Sequence, residues 1–348
     1  MPIETSWSVL AAMDKFRGTA SARELSDAVV RAARSAGVAA DGQPLSDGGE
    51  GFRDAFTGDE VVVEVPGPLG ETVSAGITVI DTADGPRAVL EVAEVIGRER
   101  LPSPTPEQAL RATSAGAGHL IAAAQRLDVA SILVGCGGSA TSDGGLGCYQ
   151  VLKESGGLSV PVTVATDVTA RFTGLRRYAR QKGIGARDLT TVDRRLKQIR
   201  GLYLEEAGVD VELLERSGAA GGIPAALAAL GAQLTSGFEA VARAVSLEER
   251  ISNASLVVTG EGRFDAGSLE GKVVVGVAQI THVEELLVVC GSVDPWAVET
   301  FRRQFASAQF VSLVQRFGAR EANRNVLECI EMVITERIAR PREWRDAE

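Results

Sequence analysis

Short apolar runs recur along this chain, and most of them end in glycine and charge. Val9 to Ala12, Ser131 to Val134, Val162 to Ala165, Ser255 to Val258, Glu285 to Val289 and Gln309 to Leu313 each read as a strand. Helical segments lie between them. Ser21 to Ala36 is one, with Thr19 or Ser21 as its cap and Gly37 as its stop. Leu146 to Glu154 can start another, and an alanine-rich helix follows Gly222. Asp188 to Glu206 is a charged helical stretch, most simply a solvated face. Residues 60–97 differ. Val61 to Val65, Val73 to Ile80 and Ala88 to Val92 are strands separated by Pro-Gly and Asp-Gly turns, an antiparallel excursion.

Strands alternating with helices predict an α/β fold with a doubly wound parallel sheet. The chain has 348 residues, enough for two domains. It begins and ends in α/β units with a different middle. Residues 1–58 and 246–348 are therefore expected to form one discontinuous domain, with 59–245 inserted as a second α/β domain. Leu101 to Glu107 reads as a proline-rich linker.

Composition narrows the function. The net charge of −10 argues against nucleic acid or an anionic membrane as partner, and leaves a small molecule. No apolar stretch reaches the length of a membrane span. Met1 to Trp7 lacks a basic segment followed by an apolar run, so the cytoplasm is the expected location. Cys136, Cys148, Cys290 and Cys329 form no C-x-x-C pair and read as buried reduced thiols. Only His119 and His282 are present, neither in a triad context, so acid–base chemistry falls to carboxylates or lysine.

The candidate chemistry sits in five glycine loops. Gly135-Cys136-Gly137-Gly138-Ser139-Ala140-Thr141-Ser142-Asp143-Gly144-Gly145 lies between a strand and a helix, which is how backbone N–H groups are aimed at a phosphate. There is no G-x-x-x-x-G-K-[ST] and no clean G-x-G-x-x-G in a first β-α unit. Asp14 to Gly18, Ser46 to Gly51, Ser217 to Gly222 and Thr259 to Asp265 repeat the theme at strand ends or helix starts, where open α/β sheets collect ligands.

In sequence order, these loops resemble the patterns D-x-F-K-G, D-G-G-E-G, G-G-S-A-T-N-D-G-G, Q-K-G, G-A-A-G-G and G-E-G-x-x-D of the bacterial glycerate kinase family. The resemblance spans Asp14 to Lys272. It implies ATP-dependent, Mg²⁺-assisted phosphorylation of D-glycerate to a phosphoglycerate, by resemblance 2-phosphoglycerate. It also implies a flavodoxin-like domain with an inserted second domain and an active site in the cleft between them. Phosphoryl transfer to an alcohol needs a phosphate cradle, a metal, a cation on the transferred group and a proton acceptor. Gly137, Gly138, Ser139, Ala140, Thr141 and Asp143 are the expected ATP-phosphate residues. Asp167, Asp265, Arg17 and Lys182 are the expected catalytic set. Asp47, Gly48, Gly49, Glu50 and Lys272 are expected at the substrate, and Asp143, Asp167 and Asp265 are candidate Mg²⁺ ligands.

The chain departs from the family pattern at defined places. Arg17 replaces a lysine and Ser142 an asparagine, while Ala170 and Arg171 stand where the family has Asn-Pro. Arg180 replaces the proline before Gln181, and Ile96 and Arg98 replace a serine and a leucine. Ala117 and His119 replace a threonine and a glutamate. Two alternatives follow: a kinase whose Arg98, Arg171 and Arg180 select another hydroxy acid, or a non-catalytic ligand-binding paralogue.

Overall fold

The computed structural model describes residues 7–282 and 285–339; the leader reading at the amino terminus falls mainly on residues outside that range. The chain divides into two units. The first contains the described residues up to Ser46 and from Val241 onward; the second is Asp47–Ala240.

The first unit is built on a five-stranded sheet whose strands all run parallel. In space they run Gln309–Ser312, Glu285–Cys290, Leu256–Gly260, Ser8–Met13, Ala39–Gly42. Read from the other edge by chain position, that is the 2-1-3-4-5 order of flavodoxin-like sheets. The apolar runs are continuous because both faces of the central strands are covered: Val9 to Met13, Leu256 to Val258 and Leu286 to Cys290 are all buried. The helix Ala22–Ser35 starts at a capping box, with Ser21 Oγ accepting from the Glu24 amide and the Glu24 carboxylate accepting from the Ser21 amide. Its Leu25, Ala28, Val29 and Ala32 form one buried stripe. That stripe shares a core with Cys329, Ile330, Val333 and Ile334 of the helix Val326–Ala339. Each fully buried Leu, Ile or Val contributes about 1.5–3 kcal/mol.

The second unit carries a six-stranded mixed sheet in the order Asp59–Pro66, Thr72–Ile80, Arg87–Glu91, Ser131–Cys136, Val162–Thr166, Gln233–Ser236. The first two pairings are antiparallel and the remaining three parallel. The excursion at 60–97 is thus continuous with the parallel sheet, joined to it by Arg87–Glu91. The edge strand Asp59–Pro66 leaves Val62 exposed but carries Asp59, Glu60 and Glu64, charges that discourage edge pairing. One core lies around Leu120, Ile121 and Leu152. Another gathers Phe172, Leu175, Leu196, Ile199 and Tyr203, so the charged stretch predicted as a solvated face is a helix, Leu189–Ala207, with a buried stripe.

The Asp47–Gly51 loop lies with the second unit, whereas the sequence pattern assigned residues up to 58 to the first. The physical reason is local. Glu91, at the end of a second-unit strand, accepts from the Gly51 amide at 2.9 Å and the Arg53 amide at 3.3 Å. All four cysteines are free and buried. No helix among the described residues is long and apolar enough to cross a membrane.

Candidate active site

In the second unit, the glycine loop leaves the carboxyl end of Ser131–Cys136 and enters the helix Leu146–Glu154. Its path requires glycine where backbones meet. A Cβ on Gly137 would lie 2.5 Å from the Gly49 Cα, and one on Gly221 would lie 2.3 Å from the Thr141 carbonyl oxygen. The Asp47–Glu50 and Gly218–Gly222 loops therefore both lie directly against the cradle. Gly48 also abuts the Thr166 backbone, so the loop meets the end of the strand that delivers Asp167. Asp47 Oδ1 accepts from the Gly49 amide at 3.1 Å, closing a tight turn.

Asp143 organises this loop. Its Oδ2 accepts from the Ser114 amide and hydroxyl, both at 2.8 Å, and from the Gly147 amide at 3.2 Å. Its Oδ1 accepts from the Gly145 amide at 3.2 Å. Ser114 Oγ in turn accepts from the Cys148 amide at 3.0 Å. The carboxylate thus satisfies amide donors at the start of the helix, where negative charge is favoured. The buried Tyr203 hydroxyl adds a tether, donating to the Gly144 carbonyl at 2.9 Å.

Lys182 supplies the cradle's buried cation. Its Nζ donates to Ser139 Oγ at 3.0 Å and to the Thr141 carbonyl at 2.6 Å. Burial pushes its pKa down to about 8; the Asp143 carboxylate opposes that shift, Arg98 adds to it, and Asp167 opposes it. Thr141 Oγ1 and Ser142 Oγ are buried and have no hydrogen-bond partner among the described residues. Leaving a hydroxyl so costs about 1–3 kcal/mol each, an expense a bound anion would remove. The neighbouring Cys136 thiol is held well above its usual range, chiefly by burial, and stays protonated.

Arg17, Asp265 and Lys272 belong to the first unit. There the strands Ser8–Met13 and Leu256–Gly260 are neighbours at the point where the strand order reverses. In this fold ligands collect at the carboxyl ends of such a pair. Asp14 and Arg17 follow one strand, and Glu261, Arg263 and Asp265 follow the other. The loops touch: a Cβ on Gly262 would lie 3.3 Å from the Arg17 amide nitrogen. Asp265 pairs with Arg263 at 3.3 Å and accepts from the Gly267 amide at 2.9 Å. Lys272 precedes the helix Val273–Ile280 at its N-cap position.

The second unit therefore brings together Asp47, Gly48, Gly49, Gly137 to Asp143, Asp167 and Lys182, with Glu50 exposed on the loop's outer side. Sequence reasoning missed Glu91, Ser114 and Tyr203, which hold the loops. Glu91 carried a signal, a lone acid closing an apolar strand; Ser114 and Tyr203 carried none, because their partners are distant in sequence. Among the described residues no three His, Cys, Asp or Glu side chains converge on one point. Mg²⁺ in phosphoryl transfer needs only one or two carboxylates beside the phosphates, so the donor set still fits that ion.

Comparison with known proteins bears on this geometry. The profile described as "Glycerate kinase family" matches residues 9–157 and 154–340. Glycerate 2-kinase of Escherichia coli (strain K12) is 35% identical over 314 residues, covering 78% of this chain and 81% of that protein. Glycerate kinase of Bacillus subtilis (strain 168) is 32% identical over 321 residues, covering 81% and 83%. A crystal structure from Salmonella typhimurium LT2, of a protein proposed to be glycerate kinase 2, superposes with a TM-score of 0.77 at 29% identity. That match covers 98% of this chain and 100% of the other.

Proposed function

Because the chain belongs to the glycerate kinase family, we propose that it transfers the γ-phosphoryl group of ATP to D-glycerate, at the 2-hydroxyl. The hydroxyl oxygen attacks the γ-phosphorus, the bond to the β-phosphate bridging oxygen breaks, ADP leaves, and the hydroxyl proton passes to a carboxylate. The observation that carries this reading is the cradle itself: a buried Lys182 ammonium beside two buried hydroxyls with no partner among the described residues. The Gly137–Ser142 loop and the Thr141 and Ser142 hydroxyls bind phosphoryl oxygens, and Lys182 offsets their charge. Asp167, half-buried at the strand end, is the proton acceptor or the Mg²⁺ ligand. The ion, when bound, neutralises phosphate charge. Asp143 is assigned to holding the loop, since donors already occupy both of its oxygens.

The test is an ADP-release assay with Mg-ATP and D-glycerate, with L-glycerate and buffer as controls, and phosphorus NMR to locate the phosphate in the product. D-glycerate-dependent turnover is expected, with kcat lowered about 10²-fold or more in Asp167→Asn if that carboxylate takes the proton. A folded protein that releases no ADP in response to D-glycerate would overturn the reading.

A further inference from the structure

Two segments touch the backbone of the glycine cradle, and one side chain joins them. The Asp47–Glu50 loop meets the cradle where Gly49 lies against Gly137. The short helix Ala93–Ile96 and the two residues after it meet it through a backbone ladder centred on Gly97 and Ser139. There the Arg98 amide donates to the Gly138 carbonyl and the Ala140 amide to the Ile96 carbonyl, both at 2.8 Å. Arg53 follows the first segment and reaches the second. Its Nε donates to Glu94 Oε1 at 2.6 Å, and its Nη1 donates to Thr78 Oγ1 at 2.8 Å and to Glu60 Oε2. Thr78 Oγ1 donates in turn to Glu60 Oε1 at 2.7 Å, and Glu94 Oε2 accepts from the Gly76 amide at 2.7 Å. The strand Thr72–Ile80 makes room for the guanidinium: a Cβ on Gly76 would lie 2.3 Å from Arg53 Nη2. Glycine inside a strand weakens it and often marks such a close approach.

We propose that Arg53 is a positioning residue for phosphoryl transfer: it locks the Asp47–Glu50 loop to the Ala93–Arg98 segment, and so holds the backbone of Gly137–Ala140, which both segments touch, in one geometry.

The argument rests on where the ties are made. Glu91 fixes the end of the loop by accepting from the Gly51 and Arg53 amides, but it belongs to the strand that precedes the helix. Arg53 adds a tie to the helix itself, at Glu94, and braces that tie on two strands through Thr78 and Glu60. The planar fork suits this task, since one guanidinium serves three acceptors in fixed directions where a lysine would offer a single ammonium. The Arg53 side chain is 20% exposed and that of Glu94 26%, so water screens this pair less than an ordinary surface pair. The cradle acts by placement: Lys182, Thr141 and Ser142 must meet phosphoryl oxygens at hydrogen-bond distance. Misplacement by about 1 Å, even from a change remote from the chemistry, can cost about 10²-fold in rate. None of these three side chains bonds to Arg53, so its contribution is to geometry.

This inference rests on the kinase reading above, and its test keeps the two apart. Wild type, Arg53→Met and Arg53→Lys are compared by ADP release and by amide hydrogen exchange, with urea unfolding to fix the folded fraction. In Arg53→Met, kcat per folded molecule is expected to fall about 10-fold or more, with the KM for ATP and for D-glycerate within about 3-fold of wild type. Exchange is expected to quicken at residues 48–51 and 137–140, and to keep its wild-type rate in the helix Leu189–Ala207. Arg53→Lys keeps the charge but reaches fewer acceptors, so both readouts should lie between the other two proteins. A lowered urea midpoint with wild-type kcat and wild-type exchange at 137–140 would overturn the assignment and leave Arg53 a residue of stability alone. Exchange that quickens equally throughout the second unit would overturn it too. If Arg53→Met does not fold, Arg53→Lys decides by the same two criteria. Wild type that releases no ADP would overturn the kinase reading, and exchange alone would then decide whether Arg53 holds the two segments.

Discussion

At the scale of single residues, Lys182 is the clearest case of chemistry set by environment. An ordinary lysine stays cationic far above neutral pH. Here burial lowers the pKa to about 8, so the ammonium titrates within the working range of an enzyme. The cation is the form that neutralises phosphoryl charge. For the free enzyme, kcat/KM for ATP should therefore fall as pH rises through about 8. Bound phosphate favours the ammonium, so the corresponding limb in kcat should lie at higher pH. A pH–rate profile from 6 to 10 checks both limbs, and Lys182→Met should abolish them together with most of the activity. A flat kcat/KM profile across that range would show that Lys182 does not carry the phosphate.

At the scale of elements, the cradle is a loop held by side chains from distant segments. Asp143 is the test of that view, because the sequence offered it as a metal ligand and the structure surrounds it with donors. As a cap, Asp143→Asn removes a charged acceptor and turns one oxygen into a donor facing other donors. The urea midpoint should fall by the equivalent of about 1–3 kcal/mol, while the Mg²⁺ dependence of the remaining activity stays that of wild type. An unchanged midpoint with a raised Mg²⁺ requirement would restore the metal role. This case also shows what the sequence could and could not carry. Continuous apolar runs made the buried strands legible, and Ser21, Glu24 and Gly37 made the first helix legible. The glycine loops were legible because close backbone approach needs glycine. Asp143 was legible as a cap only in part: its bonds from the Gly145 and Gly147 amides are local, but its partner Ser114 lies on another element. The Asp47–Gly51 loop was assigned to the first domain for the same reason: Glu91, which holds it, is far along the chain.

At the scale of the whole molecule, the aromatic residues divide with the units. Among the described residues the tryptophans, Trp7 and Trp296, fall in the first unit, and the tyrosines, Tyr149, Tyr178 and Tyr203, fall in the second. Trp7 packs against the first unit's core and Trp296 is exposed on that unit, while Tyr149 and Tyr203 belong to a core of the second, so the two signals report different units. The phosphate cradle lies in the second unit, and Tyr203 is bonded to its Gly144 carbonyl. A ligand that binds only the native state stabilises the part it binds, by about 2.7 kcal/mol at 100 times its Kd. Non-hydrolysable ATP analogue with Mg²⁺ should therefore move the tyrosine-reported unfolding transition, followed by near-UV circular dichroism, to higher temperature. Tryptophan fluorescence recorded on the same sample shows whether the first unit gains as well. A shift in both signals means that nucleotide binding stabilises both units together. A shift in the tryptophan signal alone would place the nucleotide phosphates on the Asp14–Gly18 and Glu261–Asp265 loops and remove them from the glycine cradle.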